Sequence, residues 1–325
     1  MAKQRTRRRR GRATSSLVPS GRATSSLVPS GRAPKFVAAS CSLAGKKSRL
    51  NDGTCYSAKT LLQLREMYNQ KFPGRPIQST DPHEIYAALR RSFAGKCHRE
   101  TCFVKMLSSD RHVRGKMLEE FAPPAPSEWA DNPQAWLSSD DLQRAGRQMQ
   151  NAHPEFLFLG PSPSDYDFML SKTECVWPEL CKFQLADAIR DGKTKIGCVF
   201  NIDTHELDGS HWTALYIDVK KRSIFYFDST GDPIPKNILR FVKTVQKQAA
   251  ALGTPYSFDS NAGVEHQFGD TECGIYSIYF LRSLLTGKMT GGHLKSHVIR
   301  DREMQKFRGV YFNLPDRKTR NRRKR

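Results

Sequence analysis

The chain has 325 residues, a formal net charge of +21 and eight cysteines. This length allows one sizeable domain or two modest ones. No segment approaches the roughly 20 apolar residues that a membrane-spanning helix needs, and no apolar core follows the N-terminal arginines, which argues against a membrane protein and against a secreted one. Cysteines this sparse favour free thiols in a reducing compartment.

The positive charge is concentrated at the two ends of the chain. Residues 1–34 contain nine Lys or Arg, residues 317–325 contain seven, and neither segment has an acidic residue. The first segment also contains a decapeptide, 11–20, that is repeated without change at 21–30. Segments of this composition cannot bury enough apolar surface to fold. We predict two disordered basic arms that bind nucleic acid; localisation signals or solubilising tails are the alternative.

Residues 35–125 are predicted to form a mostly helical accessory domain. Apolar residues at helical spacing indicate one helix from Ser57 to Gln70 and another from Asp81 to Phe93. A helix pair joined by an extended link can bind DNA, but packing against the rest of the protein is the favoured interpretation. The Pro-rich segment 123–126 then marks the boundary of a second domain, 126–316.

Helices and strands alternate in the second domain. Ser138 or Ser139 is placed to cap a helix that ends at Asn151. The predicted strands are Phe156 to Leu159, Lys195 to Ile202, Trp212 to Val219 and Ser223 to Phe227, and the further helices are Pro178 to Arg190, Pro235 to Leu252, Cys273 to Leu285 and Arg300 to Phe307. We therefore predict an α+β fold with a central mixed sheet flanked by helices.

One predicted hairpin brings an imidazole close to a carboxylate. A tight turn after Val219 sets His211 opposite Asp228 or Thr230 on the same face of the two strands. Such a pair can be a base and the group that orients it. Taken alone, it can equally be a satisfied surface pair.

A cysteine is predicted at the N-terminus of a helix. Cys273 begins an amphipathic run, where unpaired backbone N–H groups and the helix dipole favour a reactive thiol and can stabilise a developing oxyanion. Gln267, six residues upstream, can add a side-chain amide donor. The alternative for a cysteine here is a small buried apolar residue.

Together these residues carry a family resemblance. The order His211-Trp212, Asp228, Gln267 and Cys273-Gly274 resembles the Ulp/SENP-type SUMO proteases and adenain, the adenovirus protease, over roughly residues 136 to 312. The resemblance implies a papain-like, Ulp-type cysteine protease fold. It also implies catalytic roles for Cys273 as nucleophile, His211 as base and Asp228 as the residue that orients it, with Gln267 in the oxyanion hole.

The resemblance further implies a narrow substrate tunnel between two indoles, with Trp136 and Trp212 as the candidates. Only glycine lets a main chain pass between such rings without a Cβ clash, so cleavage is expected after small residues, above all Gly-Gly. No metal or cofactor is required for this chemistry. A zinc site at Cys97, His98 and Cys102, or at Cys175 and Cys181, lacks a four-ligand set with zinc-type spacing.

Three stretches, 158–165, 272–280 and 301–308, are most similar to the virion maturation proteases of large DNA viruses. Residues 41–102 resemble the additional N-terminal domain of that group. The implied role is processing of viral structural precursors, with the protein in the virion or inside the infected cell, and with DNA as an activator bound by the arms.

Three other functions remain open at this stage. The first is a deconjugating isopeptidase that acts on SUMO or a similar modifier. The second is an acetyltransferase, since a related family uses a similar His, acid and Cys set. The third is a basic scaffold protein that binds nucleic acid or a virion component.

Overall fold

The computed structural model describes residues 36–43 and 53–314. Both predicted arms, including the repeat, lie outside these residues. A short 3-10 helix spans Ser127–Ala130, and the α-helices are α1 (Ala58–Lys71), α2 (Pro82–Ser92), α3 (Thr101–Leu107), α4 (Arg111–Leu118), α5 (Ser139–Ala152), α6 (Pro178–Cys181), α7 (Leu185–Arg190), α8 (Lys236–Ala251), α9 (Cys273–Leu285), α10 (Gly291–Ser296) and α11 (Asp301–Tyr311). Within the described ranges, no helix is both long and apolar enough to cross a bilayer.

A mixed five-stranded sheet forms the centre of the fold. Its strands are β1 (Phe156–Ser162), β2 (Lys195–Asn201), β3 (Trp212–Asp218), β4 (Ser223–Phe227) and β5 (Ser257–Ser260), and they lie side by side in sequence order. The β1–β2 and β4–β5 pairs are parallel, and the pairs between them are antiparallel. The predicted α+β class and the helical N-terminal region are confirmed.

Both faces of the sheet are covered because its central strands are apolar on both sides. Ala214 and Tyr216 of β3 face one apolar cluster, which includes residues of α5 and α9. Leu215 and Ile217, one position along, face a second cluster with residues of α7 and α8. This alternation is the period-two pattern of a strand, and it buries α9 against the sheet along most of its length.

One predicted helix, Pro178 to Arg190, is two helices. The chain breaks between α6 and α7, where Gln248 of α8 accepts from the Leu185 N–H at 2.7 Å and donates to the Phe183 carbonyl at 2.9 Å. A single side-chain amide thus satisfies both backbone groups that the break exposes, and Phe183 turns into the core.

The N-terminal helices have an apolar cluster of their own. Tyr56, Leu61, Ile85 and Phe103 are fully buried in it. Asn313, beyond α11, joins this region to the rest of the fold: its amide donates to the Ala122 carbonyl at 2.7 Å, and its Oδ1 accepts from a backbone N–H at 2.7 Å. The division at residues 125 and 126 stays a prediction.

The expectation of free thiols is wrong for six of the eight cysteines. Cys41 is bonded to Cys55, Cys97 to Cys102 and Cys175 to Cys181, with Cα–Cα distances of 5.1, 5.5 and 6.7 Å. These distances lie within the range that a disulfide can bridge. The four cysteines considered as metal ligands are therefore paired with each other, and Cys198 and Cys273 are the free cysteines.

Candidate active site

The predicted histidine and aspartate meet at one edge of the sheet. In the β3–β4 hairpin Ala214 pairs with Phe227, so the residues just beyond the paired region lie together at the end of the two strands. There the His211 Nε2 and Asp228 Oδ1 atoms are 2.7 Å apart. The hairpin register predicted from the sequence brings these two side chains together.

Asp228 is buried and held by its neighbours. The Thr230 backbone N–H and hydroxyl donate to Oδ1 at 3.0 and 2.7 Å. Asn261 pairs with the Asp228 backbone, accepting from its N–H at 2.9 Å and donating to its carbonyl at 2.6 Å. Burial disfavours the carboxylate, but the hydrogen bonds from His211 and Thr230 outweigh it, and the pKa of Asp228 is lowered. Asp228 is therefore an anion with a fixed orientation.

His211 lies between Asp228 and Cys273. Burial disfavours its protonated form, but hydrogen bonds and charge interactions with Asp228 and Cys273 outweigh this and raise the pKa of His211 to about 10. Since Nε2 is bound to Asp228, Nδ1 is the ring nitrogen left for the thiol. The imidazole is thus a stronger base here than a free histidine.

Cys273 is the first residue of α9, and no side chain caps this end of the helix. Leu137 packs closely against the next residue: a Cβ atom on Gly274 would lie 3.1 Å from the Leu137 side chain, which would then have to shift by a few tenths of an ångström. As the first residue of α9, Cys273 lies beside the backbone N–H groups of the first turn.

Gln267 is held in the loop before α9. The Ser229 hydroxyl donates to its Oε1 at 2.8 Å, which fixes the orientation of the amide. Nε2 donates to the Gly269 carbonyl at 2.7 Å within the same loop. Ser229 directly follows Asp228, so one short segment orients both the acid and the amide.

The two tryptophans differ in their surroundings. Trp212 is 8% exposed, belongs to the main core and donates from Nε1 to the Leu137 carbonyl at 3.0 Å. Trp136, next to Leu137, is 45% exposed. Since Leu137 contacts both Trp212 and Gly274, the segment with Trp136 lies beside the cysteine. Trp212 therefore supports this segment, and Trp136 is the indole open to solvent.

The described residues include no cluster of three or more His, Cys, Asp or Glu side chains suited to holding a metal ion. The assembled groups are instead a thiol, an imidazole and a carboxylate in sequence, with the thiol beside backbone N–H donors at the start of α9. This set suits nucleophilic acyl transfer.

Comparisons with known proteins agree with this chemistry. Residues 199–320 match the family model "Ulp1 protease family, C-terminal catalytic domain". A protein of Acanthamoeba polyphaga mimivirus described as a thiol protease is 24% identical over 285 residues, which cover 80% of this chain and 89% of that protein. A SUMO-1 cysteine protease of African swine fever virus is 32% identical over 129 residues, 39% of this chain and 47% of that protein.

The fold matches a solved structure as well. The crystal structure of an African swine fever virus protease superposes with a TM-score of 0.60 at 21% identity, covering 87% of this chain and 98% of that one. This superposition includes the N-terminal helices as well as the sheet. The matched catalytic region and the thiol chemistry of the site make this chain a cysteine protease, of which residues 199–320 match the catalytic domain of the Ulp1 protease family.

Proposed function

We propose that this protease is an endopeptidase that cleaves after small residues, with Cys273 as nucleophile. The supporting observation is the continuous contact from Asp228 through His211 to Cys273. With a pKa of about 10, His211 already holds the thiol proton at neutral pH when the sulfur attacks the scissile carbonyl, and it passes that proton to the amine as the C–N bond breaks. Water then attacks the thioester by the same route, which releases the acid and regenerates the thiol.

The oxyanion of the tetrahedral intermediate forms beside Cys273. The backbone N–H groups of the first turn of α9 and the Gln267 amide are its proposed donors. In the free protein the Gln267 amide donates to the Gly269 carbonyl of its own loop. Asp228 acts only through His211, whose ring orientation and tautomer it holds.

The preference for small residues is attributed to the walls of the substrate path. Leu137 is packed against Gly274, and Trp212 is bonded to the Leu137 carbonyl, so we expect little room for a substrate side chain next to the thiol. Trp136 supplies an exposed indole at the same place. A substrate main chain without Cβ atoms fits best between these groups.

Paired peptides test this preference. We expect a Gly-Gly peptide to be cleaved with a kcat/KM about 100-fold above its Ala-Ala counterpart, because added methyl groups clash in the transition state. Trp136→Ala should reduce this ratio to below about 10, because one wall of the proposed substrate path is lost. The variant should stay folded, because Trp136 is exposed. Trp177→Ala is the matched control, since Trp177 contacts the opposite face of the sheet. Equal rates on both peptides in the unchanged protein would exclude the proposed preference.

Viral structural precursors are the proposed natural substrates, since the mimivirus and African swine fever virus relatives are proteases of large DNA viruses. Cleavage of SUMO conjugates at a higher kcat/KM than Gly-Gly precursors would favour the deconjugating alternative. Acetyl transfer from acetyl-CoA without peptide cleavage would favour the acetyltransferase. Neither chemistry requires a metal, and each would use the same cysteine.

The arms are proposed to bind DNA and so to activate or localise the protease. The two arms contain sixteen basic residues and no acidic residue, so their charges can neutralise DNA phosphates. This neutralisation releases counterions, and the affinity for DNA should therefore fall steeply as the salt concentration rises. We expect deletion of residues 1–34 and 317–325 to flatten this salt dependence in DNA-binding titrations. A full-length variant in which these basic residues are replaced by glutamine keeps the chain length and removes the charge. It therefore separates the effect of charge from the effect of a shorter chain.

Peptide cleavage in the absence of DNA should be unchanged in both arm variants, because the described part of the chain contains the whole catalytic set. If either variant binds DNA as tightly as the unaltered chain, the DNA-binding surface lies elsewhere.

A further inference from the structure

Helix α11 follows the catalytic residues in the sequence and contains none of them, but both parts of the helix contact segments that form the site. It includes the stretch 301–308, which resembles viral maturation proteases and to which no role has been assigned so far. Its first residue, Asp301, accepts from the backbone N–H groups of Phe268 and Gly269 at 2.9 Å each. This carboxylate therefore fixes the loop directly after Gln267.

Near the other end of the helix, Arg308 reaches two segments at once. Its guanidinium donates to the Thr271 carbonyl at 2.6 Å, two residues before Cys273. It also donates to three consecutive carbonyls in the segment 133–135, at 3.4, 3.2 and 2.9 Å. That segment leads directly to Trp136. One side chain thus joins the loop of the nucleophile to the segment of the exposed indole.

The surroundings of Arg308 are unusual for an arginine. Only 5% of the residue is exposed, its charge lies 3.8 Å from the buried carboxylate of Glu272, and its guanidinium carbon lies 4.8 Å from the centre of the Trp129 ring. Burying such a charge costs free energy, and apolar side chains fill space at lower cost. A planar fork with several donors is, however, the group that can hold several carbonyls of two segments in one geometry.

We propose that Arg308 is a positioning residue for the cleavage reaction, holding Trp136 and the Cys273 loop in the relative placement that the scissile bond requires. Arg308 touches neither the substrate nor the reacting atoms. It acts through Thr271 on one side and through Ala135 on the other. Asp301 supports the same loop from the opposite end of α11. The inference rests on the proposed function, since it assigns Arg308 to that reaction.

This role affects the substrate more than the thiol itself. The hydrogen bond between His211 and Asp228 involves no atom of α11. The positive charge at position 308 interacts with Cys273, and a lysine there keeps that charge. If the segment with Trp136 or the loop before Cys273 is displaced, the scissile carbonyl is misplaced as well. A misplacement of about 1 Å can lower the rate by a factor of about 100. A small thiol reagent needs neither the tunnel nor the oxyanion donors.

Arg308→Lys tests the proposal because it keeps the positive charge and removes the planar guanidinium group that bonds to several carbonyls at once. We expect kcat/KM for a Gly-Gly peptide to fall about 100-fold, while the rate of Cys273 alkylation by iodoacetamide stays within about threefold. Arg302→Lys is the matched control: Arg302 lies on the same helix with its side chain 88% exposed, and both rates should be unchanged. Asp301→Asn should give a smaller loss of kcat/KM with the same unchanged alkylation.

Hydrogen exchange by mass spectrometry gives a second measure that does not require turnover. In Arg308→Lys we expect faster amide exchange in 133–137 and 267–272, and no change in Arg302→Lys. If alkylation falls as much as peptide cleavage, or if neither segment exchanges faster, Arg308 is a general structural residue and the proposal is wrong. If the unaltered protein cleaves no Gly-Gly peptide, the proposed function fails, while the exchange of the two segments still decides whether Arg308 positions them.

Discussion

Replacing Cys273 with alanine is expected to abolish peptide cleavage, with a loss in kcat of at least about 10⁴-fold. Without the sulfur there is no nucleophile for His211 to activate, and the oxyanion donors alone retain only a small part of the rate. Steady-state kinetics on a Gly-Gly peptide measure this loss. Cys198→Ala is the matched control, because Cys198 is the other free cysteine and is fully buried.

The two free cysteines also differ in reactivity. Burial raises the pKa of Cys198, which makes its thiolate scarce at neutral pH. Cys273 has His211 beside it and an uncapped helix N-terminus behind it. A peptide-based thiol probe should therefore label Cys273 alone in the folded protein. Cleavage by Cys273→Ala above a tenth of the unaltered rate, or equal labelling of Cys198, would refute the assignment of the nucleophile.

Asp228→Asn is expected to lower kcat by about 10⁴-fold with little change in peptide binding, because the amide favours the wrong tautomer of His211. The substitution also removes the carboxylate that, together with Cys273, raises the pKa of His211 to about 10 against the effect of burial. A titration of the imidazole resonances by NMR should show a lower pKa in the variant. Asp259→Asn is the matched control, since Asp259 is exposed and pairs with Lys295 instead of a histidine.

The same pair makes stability depend on pH. The pKa of His211 in the folded protein lies above the ordinary value of 6.5 that it has when unfolded. Its contribution to the free energy of unfolding is therefore complete below about pH 6.5 and declines as the pH rises through about 10. The unaltered protein and Asp228→Asn should therefore differ less in their free energy of unfolding as the pH rises from about 6.5 to about 10. An Asp228→Asn protein with full activity and an unchanged histidine titration would mean that another residue orients His211.

The sequence predicts most of the sheet and the order of the catalytic groups because these depend on local signals. The strand Ser223–Phe227 and the helix Cys273–Leu285 have the predicted bounds. The His211 and Asp228 contact follows from a single hairpin, whose turn sets the register. What could not be predicted depends on segments that meet only in the folded chain.

Asn261 and Ser229 illustrate this limit. Both are polar residues in loops, and their positions in the sequence do not indicate a role. In the fold, Asn261 holds the backbone of Asp228, and Ser229 orients Gln267. The break at Phe183 depends on Gln248, more than sixty residues later. The disulfides likewise depend on which cysteines the fold brings within about 7 Å, and a count of cysteines carries no such information.

The central sheet separates the two thiols. Cys198 belongs to the apolar cluster on one face and Cys273 to the cluster on the other, and the remaining six cysteines are paired. A sulfenic acid formed at Cys273 by peroxide therefore has no thiol of its own chain with which to condense. Rescue of the oxidised enzyme depends on a thiol small enough to enter the site, such as glutathione, and without one oxidation proceeds to the irreversible sulfinic and sulfonic acids.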